Sequence, residues 1–211
     1  YINLSSHMQG TELEKVVDTS LFDGMLIGYN ALNYRFRQAG IEAAYNKGMG
    51  IAVMNPLGGG LIPQNPETFS YLTEGTDLTV AQAALRFVAS HKEISVTLAG
   101  CTKKEHIDDA LKAVKNLEEK PAKEIYDDYE QKGVSLNNLC TGCAYCDSCP
   151  QGIDIPKFMD SYNIKILGQD MAGRLKGHWG LSSSKAGECI QCGLCEGLCT
   201  QHIPIMDRLA E

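Results

Sequence analysis

The chain has 211 residues, with 19 Lys or Arg against 26 Asp or Glu, a formal net charge of −7, an apolar fraction of 44% and nine cysteines. That apolar fraction supports a folded core and excludes wholesale disorder, and the acidic balance excludes a nucleic-acid binder that works by neutralising phosphates. There is no apolar run of 18 residues, so no membrane-spanning helix is expected. Tyr1–Gly10 also lacks the basic start and apolar centre of a signal peptide, so a cytoplasmic location is expected. The chain opens on Tyr1 rather than Met, and further residues upstream are expected.

Taken in chain order, short apolar runs alternate with helical patterns. Tyr1–Leu4 reads as a first strand. Thr11 with Glu14 forms a Ser/Thr-x-x-Glu/Gln pair that marks a helix start. Met25–Tyr29 and Ile51–Met54 read as strands. A second such pair, Thr79 with Gln82, opens the Ala-rich helix Val80–His91, and Ile94–Leu98 reads as a further strand. A third pair, Thr102 with Glu105, opens a helix over 103–118, whose apolar stripe Ile107, Leu111, Val114 and Leu117 is spaced for one face. Pro121 then starts a helix running to Gln131. Strands alternating with helices predict a parallel sheet covered by helices. About four such units are present, whereas a closed parallel barrel needs eight strands in ~250 residues. Half a TIM barrel is the expected architecture of residues 1–134.

In parallel α/β folds the chemistry sits at the carboxyl ends of the strands. Here those ends carry Ser5-Ser6-His7, Tyr29-Asn30, Asn55-Pro-Leu57-Gly58-Gly59-Gly60 and Cys101-Thr102-Lys103-Lys104. The glycine run lets backbone N–H groups approach an anion. The last segment places two lysines beside a helix N-terminus, which favours phosphate. Each of these is also compatible with a plain loop or a helix cap.

The order and spacing of residues 1–118 resemble the aldo/keto reductases. Ile51–Gly60 looks like that family's seventh strand and following loop, Thr79–His91 its seventh helix, and Ile94–Ala113 its eighth strand and helix. Phe22–Asn30 resembles the sixth strand, and Ile2–His7 the end of the fifth. The resemblance implies a nicotinamide dinucleotide (NADP or NAD) site. Ser5 and Ser6 would lie at the carboxamide and Met54 against the nicotinamide. Leu57, Gly58, Gly59 and Gly60 would lie at the pyrophosphate, and Cys101, Thr102, Lys103 and Lys104 at the adenosine phosphate. The family's catalytic Asp, Tyr, Lys and His belong to strands that would precede Tyr1, so no catalytic residue is assigned, and the isolated chain is expected to be inactive as a reductase. Tyr29 and Tyr45 read as packing residues. The two unpaired edges of such a half barrel call for a cover, either the upstream half of the same barrel or a second copy.

The other eight cysteines fall within residues 140–199, in two runs: Cys140, Cys143, Cys146, Cys149, and Cys189, Cys192, Cys195, Cys199. Three thiolates at two-residue intervals wrap one face of a cubane. In two-cluster ferredoxins the fourth cysteine of each run ligates the other cluster. On that pattern one 4Fe-4S cluster takes Cys140, Cys143, Cys146 and Cys199, and the other takes Cys149, Cys189, Cys192 and Cys195. Disulfides need an oxidising compartment. Structural zinc prefers two Cys-x2-Cys pairs with a longer spacer. The spacer of about 39 residues contains Ile155–Asn163, a helix start at Pro156, and the stretch Ile164–Lys176. The flanks Gln151-Gly-Ile-Asp-Ile-Pro156 and Gln201-His-Ile-Pro-Ile205 match each other. This layout is similar to the aldo/keto reductase subfamily with a C-terminal α-helical ferredoxin-like domain, here residues 135–211. It implies an iron–sulfur oxidoreductase that couples one-electron transfer to a nicotinamide-dependent barrel, with a redox partner protein. The alternative is an electron-transfer or binding module without reductase activity. His202 reads as a supporting or surface residue near a cluster, and Trp179 as a packing anchor over a cluster or the seam between the domains.

Overall fold

The computed structural model describes residues 1–130 and 139–211. The chain divides into two compact units, Tyr1–Ser135 and Leu136–Glu211. The boundary read at Gly133–Asn138 and the helix end read at Gln131 lie outside the described residues.

In the first unit, β1 (Asn3–Ser6), β2 (Gly24–Gly28), β3 (Gly50–Met54) and β4 (Val96–Thr97) form one parallel sheet in the order β1-β2-β3-β4. Parallel neighbours require crossovers. These contain α1 (Gly10–Asp18), α2 (Tyr34–Asn46) and α3 (Val80–Ala89). The inner strands carry the core: Ile27, Ile51 and Val53 are wholly buried, as are Leu13 of α1, Ile41 and Ala44 of α2, and Ala84 and Val88 of α3. The two helices α1 and α2 pack closely because glycines stand at their crossing. A Cβ on Gly10 would lie 2.8 Å from the Phe36 carbonyl oxygen, and one on Gly40 would lie 2.7 Å from Leu13 Cδ2.

The helix starts turn out unequal. Thr79 and Gln82 form a reciprocal cap on α3. Neither of the other two pairs does so. The first helix begins one residue before Thr11, behind Gln9. The helix α4 (Lys104–Val114) is capped at Lys103, and the Thr102 N–H instead donates to His106 Nδ1 at 3.3 Å. The end read at 118 also moves back. Asn116 adopts φ 51°, and Arg86 donates to the carbonyls of Ala113 (2.8 Å) and Lys115 (2.6 Å), closing the helix early. The apolar stripe of α4 faces outward: Ile107, Leu111 and Val114 are 51%, 63% and 45% exposed. The strand read at Ile94–Leu98 shrinks to two residues, bracketed by Ser95 N–H to Ile51 and Leu98 N–H to Val53, both 2.8 Å.

The last helix of this unit, α5 (Ala122–Glu130), starts on a tertiary contact. The buried Glu93 carboxylate accepts the Ala122 N–H at 2.9 and 3.1 Å, where an anion suits the helix dipole. Arg37, also fully buried, donates to the carbonyls of Gly28 and His7 and so ties together the carboxyl ends of β1 and β2.

The second unit packs Ile153, Phe158, Met159, Leu175, Ile203 and Leu209 against the cysteine loops. Its longest helix is α6 (Ile155–Ile166), begun by Asp154, whose side chain accepts the Lys157 N–H, and by Pro156. The stretch beyond it is not one helix, because Gly168 turns left-handed at φ 76°. A short turn over Met171–Gly173 runs on into a wide turn at Arg174–His178. The helix α7 (Ile205–Ala210) closes the chain. Among the described residues, no helix is long and apolar enough to cross a membrane.

Candidate metal centres

The two cysteine runs fold alike. Each takes left-handed backbone at the second and fourth residues after its first cysteine. These are Gly142 (φ 68°) and Ala144 (φ 61°) in one run, and Gln191 (φ 53°) and Gly193 (φ 76°) in the other. Side-chain-bearing residues adopt this conformation only at a cost, so Ala144 and Gln191 are held there by the loop around them. The matched flanks repeat too. Gly152 donates its N–H to the Cys149 carbonyl (2.9 Å) and His202 its N–H to that of Cys199 (3.0 Å). Ile155 then bonds back to Ile153 (2.9 Å) and Ile205 back to Ile203 (2.8 Å). All four isoleucines are at most 2% exposed. The repeat visible in the sequence is therefore a structural repeat, with α6 and α7 starting at equivalent points.

This arrangement exchanges the last cysteines of the runs. One recess, of about 350 Å³, is lined by Cys140, Cys143 and Cys146 of the first run and by Cys199 of the second, with Pro156, Met159 and Ile205. The other, of about 320 Å³, is lined by Cys189, Cys192 and Cys195 and by Cys149 of the first run, with Ile155, Ile190 and Met206. All eight thiols are free of disulfides. Among the described residues, no three or more His, Cys, Asp or Glu side chains converge on one point that could hold a single metal ion. A cubane places its four ligands on four separate irons, so its ligands need no common point.

Electrostatics distinguish these thiols from ordinary surface cysteines. Burial pushes the Cys146 thiol up to about 12 and the Cys140 thiol up to about 11, the latter against an opposing N–H from Gly142 at 3.4 Å. Burial also raises Cys195. Thiolates in such surroundings need a bound cation to offset the desolvation, which a metal centre supplies. Thr141 lines the first recess, and its buried Oγ1 has no hydrogen-bond partner. The donor set thus fits a soft, thiolate-bound metal cluster in each recess.

Several supporting residues were not singled out from the sequence. Asn163 of α6 is 5% exposed and clamps the Cys140 peptide from both sides. Its Nδ2 donates to the Cys140 carbonyl and its Oδ1 accepts the Cys140 N–H, both at 2.9 Å. The Ile203 N–H points at Cys199 Sγ (3.5 Å). No spacing rule in the sequence marks Asn163. Trp179 stands apart from both recesses. Its indole N–H donates to Asp160 (2.7 Å), which also takes Arg174 Nε at 2.8 Å, so the ring anchors the wide turn to α6. His202 is exposed and lines neither recess.

In the first unit, an open recess of about 1210 Å³ lies at the carboxyl ends of β3 and β4. It brings together Leu57, Gly59, Gly60 and Cys101, along with Asn55, Leu85, His106 and Asp109. The loop needs its glycines: Gly58, Gly59 and Gly60 all have positive φ, and a Cβ on Gly58 would meet Leu32 Cδ1 at 2.6 Å. Asn55 holds the turn by accepting the Gly59 N–H. Gly58, Met54, Thr102, Lys103 and Lys104 do not line this recess. Ser5 is exposed at the end of β1, and Ser6 is buried, with its Oγ accepting the Met8 N–H at 3.0 Å.

Set against known proteins, residues 139–204 match the family model described as a 4Fe-4S dicluster domain. No curated protein matches the chain. The match spans both cysteine runs, and the second unit of this chain carries a 4Fe-4S domain.

Proposed function

We propose that the chain is an iron–sulfur electron-transfer protein of aldo/keto reductase type, holding two 4Fe-4S clusters beside half of a nicotinamide-dependent barrel. The observation that carries the iron–sulfur part is the pairing of three cysteines from one run with the last cysteine of the other in each recess. Cys140, Cys143, Cys146 and Cys199 would hold one cluster, and Cys149, Cys189, Cys192 and Cys195 the other. Such clusters pass single electrons. The protein's own part is to bury the thiolates, fix their loops through Asn163 and the left-handed residues, and exclude water with Ile153, Ile155, Ile203 and Ile205.

The barrel part rests on the four parallel strands and the recess at the carboxyl ends of β3 and β4, where Leu57, Gly59, Gly60 and Cys101 meet. A binding or electron-transfer module without reductase activity is favoured by the exposure of Ser5, Lys103 and Lys104, none of which lines that recess. One experiment bears on both parts. Protein purified without oxygen should be brown and carry about eight iron and eight acid-labile sulfide per chain. Stoichiometric zinc without visible absorption overturns the cluster assignment. Bleaching of the colour on addition of NADPH favours the reductase reading, and retained colour favours the module.

The sheet predicts a second result. Its edges carry Ile2 (63% exposed) and Val96 (49%), and the outward stripe of α4 lies beside β4 in sequence. Exposed edges template pairing with other strands. We assign the cover to the remaining strands of the same barrel, supplied by an upstream segment or by a second copy. The chain on its own is expected to self-associate in sedimentation experiments. A monodisperse monomer with a single cooperative unfolding transition counts against the half barrel.

A further inference from the structure

The two recesses come from one repeat, yet the repeat is unequal in charge. With Ile155 and Ile205 in register, Phe158 of α6 corresponds to Arg208 of α7. Both are buried, at 2% and 6% exposure. Ile205 lines the first recess, and Arg208 follows it by three residues, on the same helix face. The Arg208 guanidinium lies 4.6 Å over the ring of Tyr162, whose neighbour Asn163 clamps Cys140. Its charge acts on Cys140 and Cys199, two thiols of that recess. A guanidinium stays protonated even when burial pulls its pKa down.

Both runs carry an acid directly after their third cysteine, Asp147 after Cys146 and Glu196 after Cys195, so the acids match across the repeat and the Arg208/Phe158 pair does not. Glu196 Oε1 accepts the N–H of Met206 (2.9 Å), a residue lining the second recess. Two further acids near the first recess are engaged elsewhere. Asp160, which acts on Cys140, is held by Arg174 and Trp179, and Glu211 is held by Lys165 and Tyr162.

We propose that Arg208 is a tuning residue that gives the two centres unequal reduction potentials. Arg208 raises that of the Cys140/Cys143/Cys146/Cys199 centre, whereas the Cys149/Cys189/Cys192/Cys195 centre has the apolar Phe158 at the equivalent place. The inference rests on reading both quartets as 4Fe-4S sites. One added electron makes a centre more negative, so a buried cation beside it favours the reduced form and a carboxylate disfavours it. A unit charge about 10 Å away at an effective dielectric near 20 shifts such an equilibrium by roughly tenfold.

The test is an anaerobic redox titration of the full, cluster-loaded chain, followed by electron paramagnetic resonance. The two signals are assigned beforehand with Cys143→Ala and Cys192→Ala. Arg208→Met should shift the first centre's equilibrium about tenfold toward the oxidised form, about 59 mV for one electron. The second centre should stay in place, and Arg208→Lys should keep the wild-type value. Arg208→Gln, neutral but polar and of similar reach, should shift the first centre alone in the same direction. It keeps the test decisive if Arg208→Met does not fold. Unmoved potentials in variants that load both centres overturn this inference and leave the cluster assignment standing. A wild-type chain that takes up no iron overturns both.

Discussion

Replacing Cys199 with alanine is expected to destroy the centre of the first cysteine run and to spare the one held by its own sequence neighbours. Cys199 lines the recess of Cys140, Cys143 and Cys146, whereas Cys192 lines the other. Cys143→Ala and Cys199→Ala should therefore give the same residual spectrum, that of the untouched quartet, and the double variant should lose nothing more. Groups acting in one unit are non-additive in this way. Cys199→Ala combined with Cys192→Ala should lose both centres, taking iron from about eight per chain toward none. By the same logic Cys149→Ala should resemble Cys192→Ala and not Cys143→Ala. If Cys199→Ala instead matched Cys192→Ala, each run would hold its own cluster and the exchange would be wrong.

Acid is expected to weaken the first unit through His91. The ring is 1% exposed, with Nδ1 2.8 Å from the Phe87 carbonyl oxygen and Nε2 2.9 Å from the Tyr29 hydroxyl. A carbonyl can only accept, so Nδ1 carries the proton and Nε2 accepts from Tyr29. Burial brings the pKa of this imidazole down to about 4 from an ordinary 6.5. The unfolded chain takes up a proton near pH 6.5 that the folded one refuses until about pH 4. The stabilisation is therefore complete above pH 6.5 and is lost as pH falls toward 4, at about 3 kcal/mol in all. Hydrogen exchange of the β2 and β3 amides, corrected for intrinsic rate, reads the opening of this unit. Protection in the wild type should drop by roughly that amount between pH 7 and pH 4, while His91→Gln should show a much smaller drop. Equal pH dependence in the two proteins would show that His91 is not the group responsible.

Both predictions join residues far apart in sequence, and the same division runs through the whole chain. The parallel strands were legible because β2 and β3 are short apolar runs between helical patterns, with Met25, Ile27, Ile51 and Val53 in the core. The cysteine runs and their matched flanks were legible because short loops around a cluster are local in sequence. The capping of α3 was legible for the same reason: Thr79 and Gln82 lie within one turn.

Pattern alone could not say which way an apolar stripe faces. Ile107, Leu111 and Val114 are spaced for burial, yet in this unit they point outward, since nothing among the described residues covers them. Nor could local signals foresee that Thr102 would give way to His106, or that Arg86 would end α4 from another helix. Tyr29 read as a packing residue, but its hydrogen bond to His91 spans 62 residues. The sequence by itself determined the element types, the two cysteine runs and their kinship, all of which depend on neighbours within a few residues. Only the tertiary structure decided that Asn163 grips Cys140, that Glu93 caps α5, and that Arg208 lies over the ring of Tyr162. Those pairings depend on which helix faces are brought together in space, and burial of one face against another leaves no periodic mark on the chain.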